Sequence, residues 1–253
     1  MAQEKVWDRE YGESKLLTKD NIPQNDILRF VKFLKKKPKM AIDKGLLTPS
    51  VSKNERLVVL DLGSGTGRNS YYFASLESLT KAEFGSLGNT VTGLEISQTV
   101  IDIAKKNLKS AEGFIYDISY IKQSIGETFP FENNTFDIVL DVTSSNSLSE
   151  AEREVYMAET YRVLKSGGYF FVKALCKDGD VNAKNLLKQF PGKEKDTYVM
   201  PEINLTERVW SKDDFTSFYK KYFTILHLEK KTSYPRMNQR SYKRNFWIAY
   251  MKK

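Results

Sequence analysis

One cysteine, Cys176, and one histidine, His227, stand in a chain of 253 residues. A lone cysteine cannot close an internal disulfide, and it excludes the structural zinc sites that gather several thiolates. No stretch approaches the roughly 18 uninterrupted apolar residues that a membrane span requires. The opening MAQEKVWDRE is charged rather than apolar, unlike a secretory leader. The expectation is a soluble, cytoplasmic chain with no metal site and no membrane partner. Nothing in the sequence sets its oligomeric state.

The net charge of +8 is unevenly placed. Residues 205–253 hold twelve basic side chains against Glu207, Asp213, Asp214 and Glu229, whereas residues 1–204 balance. A basic surface of this kind attracts nucleic acid, acidic metabolites or anionic membranes and does not choose among them. Its densest part, Lys230, Lys231, Arg236, Arg240, Lys243 and Arg244 with Tyr234 and Tyr242, makes RNA a possible partner through residues 230–244.

Along the chain, Ile27, Leu28, Phe30, Val31, Phe33 and Leu34 give a helix that ends at Lys35, Lys36, Lys37 and Pro38. From Leu57 the pattern alternates: strands are expected at 57–62, 90–96, 113–118, 135–142 and 168–175, with helices at 97–108 and 149–164. This predicts an α/β fold, a Rossmann-like, seven-stranded, mostly parallel sheet with helices on both faces. Two strands, 223–232 and 244–252, have no helix between them and are expected to pair antiparallel at the sheet edge. The irregular stretch 176–209 is expected to form a wall or lid. Helical spacing at the front predicts an N-terminal cap.

The run VVLDLGSGTGRNS joins a strand to a helix through Gly63, Gly65 and Gly67. Glycine suits such a turn because the backbone must bend sharply and approach a ligand closely. Arg68 stands where a dinucleotide fingerprint would need a further glycine, and a glycine run alone often only turns the chain. Here a second strand follows and ends in Glu95, where a carboxylate can hold both hydroxyls of a ribose.

With DLGSGTGRN (61–69), GLEIS (93–97), YDIS (116–119), FPFENNTFDIVL (129–140) and ETYRVLKSGGYFFV (159–172) in order, the chain resembles the class I S-adenosylmethionine-dependent methyltransferases. The likeness is strongest to the small-molecule group that includes tellurite-resistance-type enzymes, and it covers residues 57–175. It implies one methyltransferase domain over 1–253: a helical cap (1–50), a cofactor-binding core (51–175), and a substrate-side loop with C-terminal strands (176–253). Asp61 and the glycine loop would then lie under the methionine part of S-adenosyl-L-methionine. Glu95 would bind the ribose, Ile96 would pack on the adenine, and Asp117 with Ile118 would meet the adenine edge. Trp7 and Tyr11 would close the cap over the cofactor. Asp141 would face the methionine moiety or serve as catalytic base. Gly63 and Glu95 are 32 positions apart, against the about 20 of the dinucleotide pattern, which places an extension at residues 74–89.

The acceptor is not written in these motifs. The tetrad of amino-methylating nucleic-acid enzymes is missing after the fourth strand, where Asp141-Val142-Thr143-Ser144 stands, and Cys176 follows Leu175 rather than the proline of cytosine C5 enzymes. Glu150, Glu152 and Glu154 read as a solvated helix face. His227 alternates with Leu226 and Leu228, an ordinary sheet position. A small-molecule acceptor is therefore expected, with RNA methylation and a non-catalytic cofactor-binding protein as the alternatives.

Overall fold

The computed structural model describes residues 2–12, 22–36, 56–76, 88–109, 116–234, 236–237 and 240–253. Five strands run parallel: β1 (Val58–Leu62), β2 (Thr90–Glu95), β3 (Ile118–Lys122), β4 (Phe136–Val142) and β5 (Leu164–Leu175). A hairpin of β6 (Thr197–Met200) and β7 (Leu205–Arg208) follows, then β8 (Thr224–Ser233), the two-residue strands β9 (Arg236–Met237) and β10 (Arg240–Ser241), and β11 (Arg244–Lys252). The main sheet has the order β3-β2-β1-β4-β5-β11-β8. Only β11 runs against the others, so the last strand of the chain inserts between β5 and β8.

Around the sheet lie α1 (Ala2–Gly12), α2 (Asn25–Lys36), α3 (Arg68–Ser75), α4 (Gln98–Lys109), α5 (Glu150–Val163), α6 (Val181–Gln189) and α7 (Lys212–Tyr219), with one 3-10 turn at Ser145–Ser147. The central strands are apolar on both sides because both faces are covered. Successive side chains alternate between the faces. Leu60, Leu62, Val139, Phe170 and Val172 join the cluster of α5 and α7, whereas Val59, Ile138, Leu140 and Phe171 join that of α2 and α3. The start of α5 is fixed by a capping box between Ser149 and Glu152. Ser211 caps α7 by accepting from the Asp214 amide.

Two expectations change. The third strand occupies residues 118–122 rather than 113–118. GFIYDI is the more apolar segment, yet β3 is an edge strand, and its register against β2 pairs Val91 with Ile118 and Glu95 with Lys122. The stretch 176–209 is ordered into α6 and the β6–β7 hairpin, bonded to β5 through a bridge between Cys176 and Trp210. Of the expected extension at 74–89, α3 ends at Ser75 and residues 77–87 lie outside the described residues.

Helix α2 is held to the sheet by a buried ionic cluster. Asp26 accepts from the Lys173 Nζ at 2.9 Å and from Lys231, and Lys173 also donates to Gln24. Burial pulls the Asp26 carboxyl upward, but the two lysines outweigh it and hold it below the usual carboxylate range. A depressed carboxylate contributes stability above its unfolded value of about 4 that is lost as pH falls through the folded value. Truncation of Asp26 strands the Lys173 ammonium, so Asp26→Ala costs about 3 to 5 kcal/mol in urea titrations near pH 7. Arg29→Ala removes a half-exposed partner of Glu229 and costs about 1 kcal/mol or less. Equal losses would show that the cluster does not anchor α2.

Candidate active site

Strand order reverses between β1 and β4, both neighbours of which lead away in opposite directions, and ligands of open α/β sheets bind outside the carboxyl ends of strands at such a point. A cleft of about 140 Å³ lies there, bordered by Gly63, Glu95, Ile96, Ser124 and Thr143, with Trp7 and Tyr11 of α1 across it. The three loop glycines all have positive φ: +63° at Gly63, +56° at Gly65 and +81° at Gly67. Their neighbours differ. A Cβ on Gly63 would stand 2.3 Å from Ser144 Cβ, and one on Gly67 would stand 2.1 Å from the Tyr120 hydroxyl. One on Gly65 would meet only the Tyr11 hydroxyl, at 3.3 Å. Gly67 thus serves helix packing, whereas Gly63 and Gly65 shape the cleft.

Glu95 is buried at the end of β2. It accepts from the Gly65 N–H at 3.0 Å and from the Ser97 N–H at 3.0 Å, so one carboxylate ties the glycine loop to the start of α4. Burial raises its pKa against the pull of these amides. Asp61 lies beneath the loop and outside the cleft, accepting from Ser70 Oγ at 2.6 Å. Burial, opposed by Ser70 and reinforced by the Glu95 charge, pushes it up to about 7.

Three predicted site residues are placed elsewhere or in another role. Asp117 and Ile118 stand at the amino end of β3, about 16 Å from its carboxyl end at 3.3 Å per residue. Asp117 is half-exposed and engaged by Thr90 and Arg56. The cleft wall at the carboxyl end of β3 is Gln123, Ser124 and Ile125 instead. Asp141 is fully buried on the α5 face. One of its oxygens accepts from Ser144 N–H (3.0 Å), Ser144 Oγ (2.6 Å) and Ser145 N–H (3.3 Å), the other from the Tyr156 hydroxyl (2.6 Å). With its lone pairs engaged and no access to the cleft, Asp141 is a structural carboxylate rather than a base. It shapes the turn in which Thr143, a β-branched residue with φ +69°, borders the cleft; that conformation is rare for such a side chain.

Sequence reading also missed Asp8, on α1, which accepts from Ser97 Oγ and the Thr99 N–H and so caps α4 from a distance. His227 is in β8 at the far sheet edge, stacked on Tyr250 at 4.7 Å. Cys176 is buried, and burial pushes its thiol up to about 11. Within the basic cluster, Lys231 is spent on Asp26, Arg244 donates to Tyr198 at 2.9 Å and lies 3.4 Å from Asp180, and Lys230 donates to the Asp178 carbonyl at 3.2 Å. The side chains of Arg236 and Arg240 lie outside the described residues.

Residues 60–172 match the family model described as a methyltransferase domain. Over that segment the chain is similar to S-adenosylmethionine-dependent methyltransferases. Curated relatives include the ubiquinone/menaquinone biosynthesis C-methyltransferase UbiE of Citrobacter koseri, 31% identical over 119 residues, which are 47% of this chain and 43% of that protein. UbiE of Stenotrophomonas maltophilia strain K279a is 30% identical over 48% of this chain and 42% of its own. The chain thus spans less than half the length of these relatives. Among solved structures, a SAM-dependent methyltransferase of Methanosarcina mazei superposes with a TM-score of 0.66 at 21% identity, covering 82% of this chain and 98% of that one. The 1,6-didemethyltoxoflavin-N1-methyltransferase of Burkholderia thailandensis, solved with its substrate and S-adenosylhomocysteine, gives 0.63 at 12%, covering 100% and 87%. At these identities the structural likeness concerns the fold.

The residues present suit the cofactor. A buried carboxylate meets a glycine loop at one side of the cleft, where a Cβ at Gly63 would collide with Ser144 of the cleft wall, and apolar Ile96 with polar Gln123 and Ser124 offers an adenine both a packing surface and hydrogen-bonding groups.

Two measurements test this geometry. Gly63→Ala, which drives a methyl into Ser144, is expected to destabilise the fold and abolish binding of S-adenosylhomocysteine, whereas Gly65→Ala displaces only a phenol and weakens binding less; the reverse order in calorimetry would misplace the cleft wall. Asp61 has a raised folded value, so between about pH 4 and 7 the folded state holds a proton the unfolded chain has lost, and stability falls as pH rises. Asp61→Asn is expected to flatten that fall in denaturation curves taken across this range.

Proposed function

We propose that the chain transfers a methyl group from S-adenosylmethionine to a small-molecule acceptor. The observation that carries this reading is the Glu95 carboxylate bonded to the glycine loop at the edge of a cleft at the strand-order reversal. When bound, the cofactor supplies a methyl group made electrophilic by its sulfonium. The protein's part is then to hold and align. Glu95 accepts from the ribose hydroxyls, the backbone of 63–65 admits the methionine portion, Ile96 packs on the adenine, and Gln123 and Ser124 take the adenine edge in place of Asp117. Proximity and orientation can supply about 7 to 11 kcal/mol of barrier reduction without a catalytic dyad.

The cleft is smaller than the roughly 300 Å³ at which ligand sites begin, because α1 lies across it. Entry requires α1 to move outward, and its return lays Trp7 and Tyr11 over the bound group and excludes water. The Tyr11 phenol, pushed well above its ordinary value by burial and by Glu95, stays neutral and does not act as a base. A small acceptor is supported by the placement of the basic cluster, half of which serves internal contacts. The UbiE relatives and the didemethyltoxoflavin enzyme, each named for a small molecule, agree with it.

Glu95→Ala removes a charged acceptor from two hydroxyls. Hydrogen bonds to charged groups are worth roughly 1.5 to 3 kcal/mol, so calorimetry with S-adenosylhomocysteine is expected to show at least a tenfold weaker Kd. Unchanged affinity would take Glu95 out of the site. Incubation with methyl-labelled cofactor and separated small-molecule, RNA and protein fractions of a cell extract is expected to label the small-molecule fraction. Label in RNA would replace this reading with RNA methylation, and tight cofactor binding with no label in any fraction would leave a non-catalytic binding protein.

A further inference from the structure

An open groove of about 640 Å³ lies beside α6, bordered by Asp178, Gly179, Val181, Lys184, Leu187 and Lys188. We propose that this groove and the adjoining root of the β8–β11 hairpin form a docking surface for a bilayer rich in anionic phospholipid.

The charge on the rim is one-sided. Lys184 and Lys188 lie four apart on α6 and are exposed, as are Lys243, just before β11, and Lys230 of β8, which is exposed while donating to the Asp178 carbonyl. Of the two rim carboxylates, Asp180 is buried and Asp178 is half-exposed but engaged by a backbone amide. Asp178 accepts from the Lys212 N–H at 2.9 Å, and buried Asp180 accepts from the Ala183 and Asn245 amides at 2.8 and 2.6 Å. The outward field is therefore cationic. Each basic residue near an anionic membrane surface contributes about 1 kcal/mol of attraction.

Apolar side chains stand among these lysines. Val181 is 70% exposed and Tyr234 is 63% exposed. Their segments are connected through the root of the hairpin. Ser233 opposes Arg244 in the β8–β11 ladder, which sets Tyr234 beside Lys243, and the Lys243 carbonyl accepts from the Asn182 side chain next to Val181. An aliphatic side chain ringed by lysines suits the boundary between headgroups and acyl chains. It gives little to a single-stranded nucleic acid, whose bases need planar partners to stack on. Arg244, the described arginine of this region, is largely buried against Tyr198 and Asp180. Lysine with valine and tyrosine thus favours lipid over RNA. The groove also lies at the carboxyl ends of the parallel strands, where α6 follows β5, so a docked bilayer would face the same end of the sheet as the cleft. The absence of a membrane span bears on crossing a bilayer, not on resting against one.

The test uses the whole chain with phosphatidylcholine vesicles prepared with and without phosphatidylglycerol, read by co-sedimentation. Binding is expected only with phosphatidylglycerol and is expected to weaken with salt. Lys184→Gln with Lys188→Gln should weaken it about 25-fold, from ~1 kcal/mol per residue and tenfold per 1.4 kcal/mol. Val181→Ser should weaken it further and leave the salt dependence unchanged. These side chains are exposed, so thermal melts of the variants should match the parent. Absence of binding to phosphatidylglycerol vesicles, or binding that both substitutions leave intact, would overturn the proposal. So would tighter binding to polyuridylate that is indifferent to Val181→Ser, which would assign the surface to RNA.

Discussion

The cleft depends on one buried carboxylate that never faces it. Asp141 gathers two backbone amides and two hydroxyls, and through Ser144 it locks the end of β4 to the end of β1, where Ser144 Oγ also lies 2.6 Å from the Leu62 carbonyl. Ser144 can come so close because Gly63 has no side chain. An anion left unsatisfied in the interior would cost several kcal/mol. The four donors instead make burial of Asp141 the force that holds Thr143 in a left-handed conformation at the cleft wall. Strain of order 1 to 3 kcal/mol persists only where the surroundings over-determine it, and here they do.

Asp61, Glu95 and Asp141 crowd the carboxyl ends of three adjacent strands, and each has a different set of neighbours. Asp141 is saturated by donors. Glu95 has two amides and room for a ligand. Asp61 has one hydroxyl and is pushed up to about 7. Like charges at short range favour such a division, since a proton retained on one relieves the others. A ligand with a diol at Glu95 and an ammonium near the glycine loop would relieve the same crowding, so the site is electrostatically readied for a group of that description.

What the sequence showed well was local. The glycine loop, the strand before it and Glu95 lie in continuous runs whose chemistry does not depend on distant partners, and all meet at the cleft. Asp117 was misplaced because strand composition favoured GFIYDI, while the actual register of β3 is set by hydrogen bonds to β2 and brings Gln123 and Ser124 to the site. The role of Asp141 could not be read because it is fixed by alternation: in β4 it points to the α5 face, and Tyr156 meets it only after α5 has packed. The same holds for Lys231, whose partner Asp26 is 205 residues earlier. A charge run on paper divides in space between side chains that hold the fold together and those left outside.

Helix α1 links these levels. Asp8 caps α4 beside Glu95, the Gln3 side chain donates to the Ser147 carbonyl beyond β4, and Arg9 reaches the Ile203 carbonyl in the turn between β6 and β7 at 3.4 Å. Three contacts on one short helix thus touch the cofactor side, the acceptor side and the hairpin above them. Each is a polar contact within reach of solvent, individually worth about 0.5 to 1.5 kcal/mol, and beside them Val6 and Trp7 of α1 pack against the sheet. These contacts meet both sides of the cleft, so the outward movement of α1 proposed above would break them together, and its return would re-form them together.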